Sequence, residues 1–334
     1  MKTYPKEVKA RILIHRRIAA DYFRLRLLCP EIARFAQPGQ FIMLRVNELR
    51  DPFLRRPFGF SRIFPPQEKR ARPEDEGVLE ICYQIVGRGT SLMTQLREGQ
   101  RLDILGPLGN GFWAKEGQKG AILVGGGIGI APLISWAEKL HKVGGKKKRL
   151  TRNSEEAPEV FVLIGGKSRD KILGIREIKK MGLDPQVATE DGSMGLPGLA
   201  TDLLERELLT KGHDSTSLYA CGPMPMLARV AQIADQFDLP CQVLMETRMA
   251  CGVGACLGCA LKVKERAFRE MAQIGVSRPE EEKEEMIAES QWGKMEKENQ
   301  KEIFIPVIAE APTFRYALAC KEGPVFEARD ILWE

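Results

Sequence analysis

The chain has 334 residues, of which 43% are hydrophobic and 29% charged, with a formal net charge of +6. That length suffices for two or three domains with their own cores. Basic and acidic residues are interspersed, which excludes a nucleic-acid footprint and leaves KKKR at 146–149 as a solvated loop. No run approaches the ~18–20 apolar residues of a membrane span, and the N-terminal stretch has no signal-peptide core. The expectation is a cytoplasmic protein without membrane or nucleic-acid partners. Its eight cysteines then argue for metal, cluster or redox chemistry over disulfides.

Residues 1–113 read as β-rich. KARILIHRRIA, YFRLRLLC, QFIMLRV and VLEICYQIV are short alternating or β-branched runs separated by turn signals, as in a small antiparallel barrel. LRRPFGFSR, 54–62, presents Arg56 and Pro57 just after a predicted strand. CYQIVGRGTSLM, 82–93, ends a strand with Gly87, Gly89 and Thr90 at a helix start, a candidate phosphate cradle. Taken singly, both features are common in proteins that bind nothing.

Residues 114–240 alternate strand and helix, which predicts a doubly wound parallel sheet covered on both faces. ILVGGGIGIAPL places Gly125, Gly126, Gly127 and Gly129 between a strand and a helix, where backbone N–H groups and a helix N-terminus can hold a pyrophosphate. Ile130 stands where a dinucleotide fingerprint has its third glycine, so close helix–sheet packing is the competing explanation. YACGPMPML, 219–227, is a second such turn. Cys221 there is either near a nicotinamide or structural. Ser168, Arg169 and Lys171 either meet a 2′-phosphate or form a solvated loop, which leaves NAD against NADP open.

Residues 241–334 carry the cysteines. RMACGVGACLGCALKV sets Cys251, Cys256 and Cys259 in the spacing C-x4-C-x2-C, that of plant-type [2Fe–2S] proteins, whose fourth cysteine comes from further along. Cys320 is the only later cysteine. Gly252, Gly254, Ala255 and Gly258 give the room for backbone to wrap a cluster, and glycine allows positive φ. A zinc site usually shows a second cysteine pair or histidines, and no His follows His213. A redox dithiol at Cys256 and Cys259 leaves Cys251 and the glycines unexplained. A charged segment at about 264–302 is either an exposed helical hairpin or a partly disordered insertion.

In order, R-P-x-x, G-x-G-T, GPLGNGF, GGGIGIAP and CGPMP resemble the ferredoxin-reductase-like flavoproteins. MACGVGACLGC with CKEGPVFEARDILW resembles, within them, the electron-transfer subunits of type B (NAD-dependent) dihydroorotate dehydrogenase. The resemblance implies an FAD-binding β-barrel, an NAD-binding α/β domain and a C-terminal [2Fe–2S] domain. It implies FAD contacts at Arg56, Pro57, Phe58, Gly59, Cys82, Tyr83, Gln84, Gly89 and Thr90, and cluster ligands Cys251, Cys256, Cys259 and Cys320. It further implies electron flow from the FMN of a separate catalytic subunit, in a heterotetramer, through cluster and FAD to NAD+ in pyrimidine biosynthesis. Gly59 departs from the family's usual Ser or Thr, with either a backbone N–H or the Ser61 hydroxyl as its replacement, and Gln84 stands where Arg is usual. After these pockets no constellation remains for acid–base work on an organic substrate. The alternatives are a reductase subunit serving a hydrogenase, a sulfite or sulfide enzyme or a ferredoxin:NADP transhydrogenase, and a redox sensor without turnover.

Overall fold

The computed structural model describes residues 5–47, 51–66, 77–144, 158–210, 215–265 and 314–333. The predicted insertion at about 264–302 lies almost entirely outside them. The first sheet is antiparallel and holds β1 (Lys6–Ala19), β2 (Tyr22–Leu28), β3 (Phe41–Leu44), β4 (Arg56–Gly59), β5 (Arg62–Phe64), β6 (Val78–Gln84) and β7 (Arg101–Leu108). Its order is β4-β3-β7-β1-β2-β6-β5. The edge strands β4 and β5 do not pair with each other, so the predicted barrel is a curled half-barrel. Arg56 begins an edge strand rather than following one, because 56–59 pairs in register with Phe41–Leu44. Alternation explains the curl's two faces. On β2, Tyr22, Leu25 and Leu27 are buried, while Arg24 and Arg26 point to the other side. Two short helices, α1 (Pro30–Ala33) and α2 (Arg88–Met93), close its connections.

The second sheet holds β8 (Gly120–Gly126), β9 (Glu159–Gly166), β10 (Gln186–Thr189), β11 (Leu196–Pro197), β12 (Thr216–Cys221) and β13 (Cys241–Leu244), with α3 (Ile130–Gly144), α4 (Ile175–Lys179), α5 (Ala200–Thr210) and α6 (Met224–Gln236). The strands β8 to β13 pair in parallel. As the continuous apolar runs of β8 and β12 require, these strands are buried on both faces. One apolar cluster lies on the α3 and α4 side. Another lies on the α5 and α6 side and runs on through Met43 and Leu108 of the half-barrel to Cys259, Val263, Ala317 and Cys320.

Two further strands, β14 (Ala260–Lys264) and β15 (Phe314–Leu318), form an antiparallel pair, and β16 (Val325–Glu327) returns to pair with β13 in the second sheet. A cut at residue 240 therefore falls within that sheet. The units 1–113, 114–240 and 241–334 stand as a proposal about folding units that share one continuous core. Among the described residues no helix is long and apolar enough to cross a membrane.

Candidate functional site

The cysteine site is built by register. Ala260 faces Leu318 across β14 and β15, so the residues just outside the pair, Cys259 and Ala319, meet, and Ala319 N–H donates to the Cys259 carbonyl at 3.1 Å. Cys320 then lies beside Cys259, its N–H pointing at that sulfur from 3.5 Å. Cys251 and Cys256 form a second thiol pair, and Val253 N–H points at the Cys251 sulfur from 3.4 Å. Burial alone would raise the Cys251 thiol, but the N–H groups of Val253, Cys256 and Ala255 bring it down to about 6. Cys320 is pushed up to about 12 by burial and by Cys259 beside it.

The four cysteines thus form two pairs, and the charge of Cys251 is felt at Cys320. Among the described residues no three His, Cys, Asp or Glu side chains are gathered around a single ion's position. Two cysteine pairs with N–H groups aimed at sulfur suit a two-iron core better than one zinc ion. Gly252 and Gly254 have positive φ, and a Cβ on Gly252 would lie 2.5 Å from Met43 Cγ. Gly258 is not in that region; Leu257 takes the left-handed conformation instead, φ 58, a costly choice for a branched side chain. Sequence gives no sign of that.

A cavity of about 330 Å³ opens beside this loop, lined on the half-barrel side by Pro57, Phe58, Gly59, Cys82, Tyr83, Gln84 and Thr90. Ile128, Ala131 and Pro132 of the second sheet's first turn face them, and residues 244–249 close the end toward the cysteines. Its apolar walls and the size of the slot fit a planar aromatic ring system. Thr90 Oγ1 accepts from the Val86 and Gly87 N–H groups and donates to the Gly87 carbonyl, fixing the turn. A Cβ on Gly89 would sit 2.6 Å from Arg56 Nε, so the guanidinium packs against this turn and a side chain at 89 would displace it.

Several expected side chains that line the cavity also make contacts of their own. Tyr83 lines the cavity but is 2% exposed; its ring stacks on Phe23 and its hydroxyl is 2.9 Å from His15 Nε2. The Cys82 thiol is pushed up to about 11 by burial and lies on the Arg24 side of β6. Gln84 donates to Asp21 at 2.7 Å. Ser61 does not replace the missing hydroxyl at Gly59, because it is buried and donates to Glu80. A hydroxyl is present nonetheless: Thr247 Oγ1 is buried, lacks a hydrogen-bond partner and belongs to a residue lining the cavity. No motif marked Thr247, which lies between a strand and the cysteines without a turn signal.

At the second sheet's edge, Gly127 has φ +54 and open space where a side chain would project. Gly129 instead serves packing, since its Cβ would come 2.3 Å from the Cys221 carbonyl oxygen. A Cβ on Gly125 would press on Ile130, and one on Gly126 on Met226. Both explanations of the glycine run therefore apply, to different glycines. Cys221 is fully buried in the core and its thiol is raised by burial, so the side chain is structural and only its backbone reaches the edge. Lys171 is bound to Asp21 at 2.8 Å, and the Ser168 hydroxyl to Asp170.

The model of the iron-sulfur cluster binding domain of dihydroorotate dehydrogenase B matches residues 246–272. Over 258 residues the chain is 32% identical to the dihydroorotate dehydrogenase B (NAD(+)) electron transfer subunit of Desulforamulus reducens, covering 77% of this chain and 89% of that protein. The chain belongs to this family. The Caldanaerobacter subterraneus subsp. tengcongensis subunit is 35% identical over 259 residues, 78% of this chain and 90% of its own. Among solved structures, an NADH-dependent reduced ferredoxin–NADP oxidoreductase superposes with TM-score 0.68 at 22% identity, covering 98% of this chain and 90% of that one. A ferredoxin NADP+ reductase from Neisseria gonorrhoeae with bound FAD and NADP superposes at 0.53 and 18%, covering 70% of this chain and 92% of that one. These two bear out the ferredoxin-reductase-like fold. Membership in the dihydroorotate dehydrogenase B electron transfer subunits carries the cofactor set FAD, [2Fe–2S] and NAD, which the cavity, the paired thiols and the open glycine edge fit.

Proposed function

We propose that this chain is the electron-transfer subunit of an NAD-dependent dihydroorotate dehydrogenase, linking the FMN of a separate catalytic subunit, in a heterotetramer, to NAD+ in pyrimidine biosynthesis. One observation carries the reading. The segment from Leu244 to Met249 lines the flavin-sized cavity and runs directly into Cys251, while Gly252 packs on Met43 and Leu108 of the half-barrel. A flavin site and a cluster site thus share a wall. When bound, FAD supplies the exchange between two-electron nicotinamide chemistry and one-electron cluster chemistry.

The chain's own residues would hold and orient these groups. Cys251, Cys256, Cys259 and Cys320 are the proposed ligands. Arg56, packed against Gly89, and the turn fixed by Thr90 would take the phosphates, and Pro57, Phe58 and Gly59 would form the wall. Thr247 would donate its unpartnered hydroxyl to the ring edge. Gly127 leaves room for a dinucleotide backbone; of the candidate 2′-phosphate contacts, Ser168 and Lys171 are held by carboxylates, whereas Arg169 is exposed, with its backbone N–H bound to Ser193. On the cluster loop Cys256 is exposed, and so are Val253 (49%) and Leu257 (64%). A partner subunit docking there would cover apolar surface and approach the cluster.

The test is anaerobic purification followed by addition of a dihydroorotate dehydrogenase catalytic subunit. About two irons per chain are expected from the two cysteine pairs, and about one FAD from the flavin-sized cavity beside them. Dihydroorotate-dependent reduction of NAD+ should require both chains. Zinc without iron, or NAD+ reduction by the partner alone, would refute the proposal.

A further inference from the structure

The seam between the two sheets holds a second cavity, of about 470 Å³, which shares no lining residue with the flavin slot. Its floor is Arg24, Arg26 and Arg62 on the outer face of the half-barrel; its rim is Arg16, Arg176 and Lys180. Strand register makes this clustering obligatory. Arg16 faces Arg24 across β1 and β2, and Glu80 of β6 faces both Arg26 and Arg62. A like-charged pair directly opposite on adjacent strands is destabilising unless something neutralises it.

The carboxylates among the described residues are too few. Glu80 takes Arg26 at 2.7 Å, Glu138 takes Arg62 and Glu177 takes Arg24. Among the described residues, six cationic side chains therefore face three carboxylates, and Arg16, Arg176 and Lys180 make no ion pair. Arg24 Nε is buried without a hydrogen-bond partner, with Glu80 no nearer than 3.6 Å. A buried guanidinium N–H left unmade is costly. His141 adds another potential donor on the α3 side.

We propose that this cavity is a binding site for a small phosphate-bearing polyanion, held by Arg16, Arg24, Arg176 and Lys180 and distinct from both the flavin and the dinucleotide positions. Planar guanidinium groups converging from two walls match phosphate oxygens bidentately. The walls belong to different sheets, β1, β2 and β5 on one side and α3 and α4 on the other. An occupant would therefore bridge the half-barrel and the nucleotide-binding sheet, reinforcing the seam already tied by Asp21 with Lys171 and Arg24 with Glu177.

The experiment uses the full chain loaded with FAD and cluster and saturated with NAD+, at fixed ionic strength. Inorganic pyrophosphate is titrated by calorimetry, with melting temperature as a second readout. Saturable binding and a raised melting temperature are expected. Replacing Arg16, Arg176 and Lys180 together by Gln should weaken binding by about tenfold or more, since charge-assisted bonds are lost, while NADH-dependent ferricyanide reduction stays unchanged. Arg16→Gln alone, at an exposed and unpaired position, gives the same direction should the triple variant fold poorly. ATP in place of pyrophosphate separates the sources: equal affinity identifies phosphate as all that is read, and tighter binding identifies a nucleotide, both in support. Absence of saturable binding, binding unaltered in the variants, or binding abolished by NAD+ overturns the proposal.

Discussion

The cysteine loop and the flavin-sized cavity share a wall but are organised in opposite ways. The cavity stands on strands of the half-barrel: Tyr83 is locked by His15 and Phe23, and Arg56 packs against Gly89. The loop holding Cys251 and Cys256 has no regular secondary structure, exposes apolar side chains and keeps Leu257 in a strained conformation. One site is shaped before its ligand arrives; the other has backbone donors aimed at sulfur and needs four thiolates to close it. Substitutions at the two places should therefore fail differently.

The largest effect is expected at Cys320. Cys320→Ser removes one member of the Cys259 pair while β14 and β15 still hold the backbone, so iron should fall from about two per chain to near none. FAD should remain bound, because the cavity owes nothing to that thiol. Iron analysis and flavin absorbance on one anaerobic preparation decide it. Simultaneous loss of FAD would mean that the cavity also depends on the cluster, which breaks the contrast.

Gly89→Ala is the complementary change. The new Cβ would meet Arg56 Nε at 2.6 Å, and since that atom belongs to a long side chain, the guanidinium moves rather than the strand. FAD affinity should drop by about tenfold for a displaced charged contact, with iron content intact. Fluorescence titration of the FAD-free protein measures it, and unchanged affinity would remove Arg56 from the phosphate role.

How much of this was legible beforehand differed by kind of signal. Period-two alternation revealed β1, β2, β3 and β6, and glycine turns between apolar runs revealed the second sheet. The cysteine spacing suggested three of the proposed ligands, and uniqueness suggested the fourth, Cys320, which the structure sets beside Cys259. What sequence hid were facts created by pairing. β4 and β5 are only four and three residues long, below the length at which alternation can be counted. The return of β16 to β13 joins residues far apart in the chain. Thr247 and Leu257 carry no local pattern at all. Cys221 and Gly129 could be assigned to packing only once the carbonyl of one was found against the other.

The smallest expected effect concerns the strand that fastens the cysteine segment to the second sheet. Glu327 on β16 has its carboxyl pushed up to about 7, with burial the main cause. Its folded value thus lies above the ordinary carboxylate value, so the group's contribution to stability is complete below the ordinary value and is lost as pH rises through about 7. Glu327→Gln removes a buried charge at pH 8 and nothing at pH 4. The gain at pH 8 should be on the order of 1 kcal/mol, less than the full shift because solvent and Arg329 screen the charge. Melting curves of the cofactor-loaded protein should rise by about 3 °C at pH 8 and stay level at pH 4; an equal rise at both would disprove the titration. Iron retention followed in parallel sharpens the opening contrast. A loop closed by its own thiolates should keep its iron at pH 8 in both proteins, whereas iron lost faster from the wild type would show that the β16 anchorage, and not the ligand set alone, holds Cys320 in place.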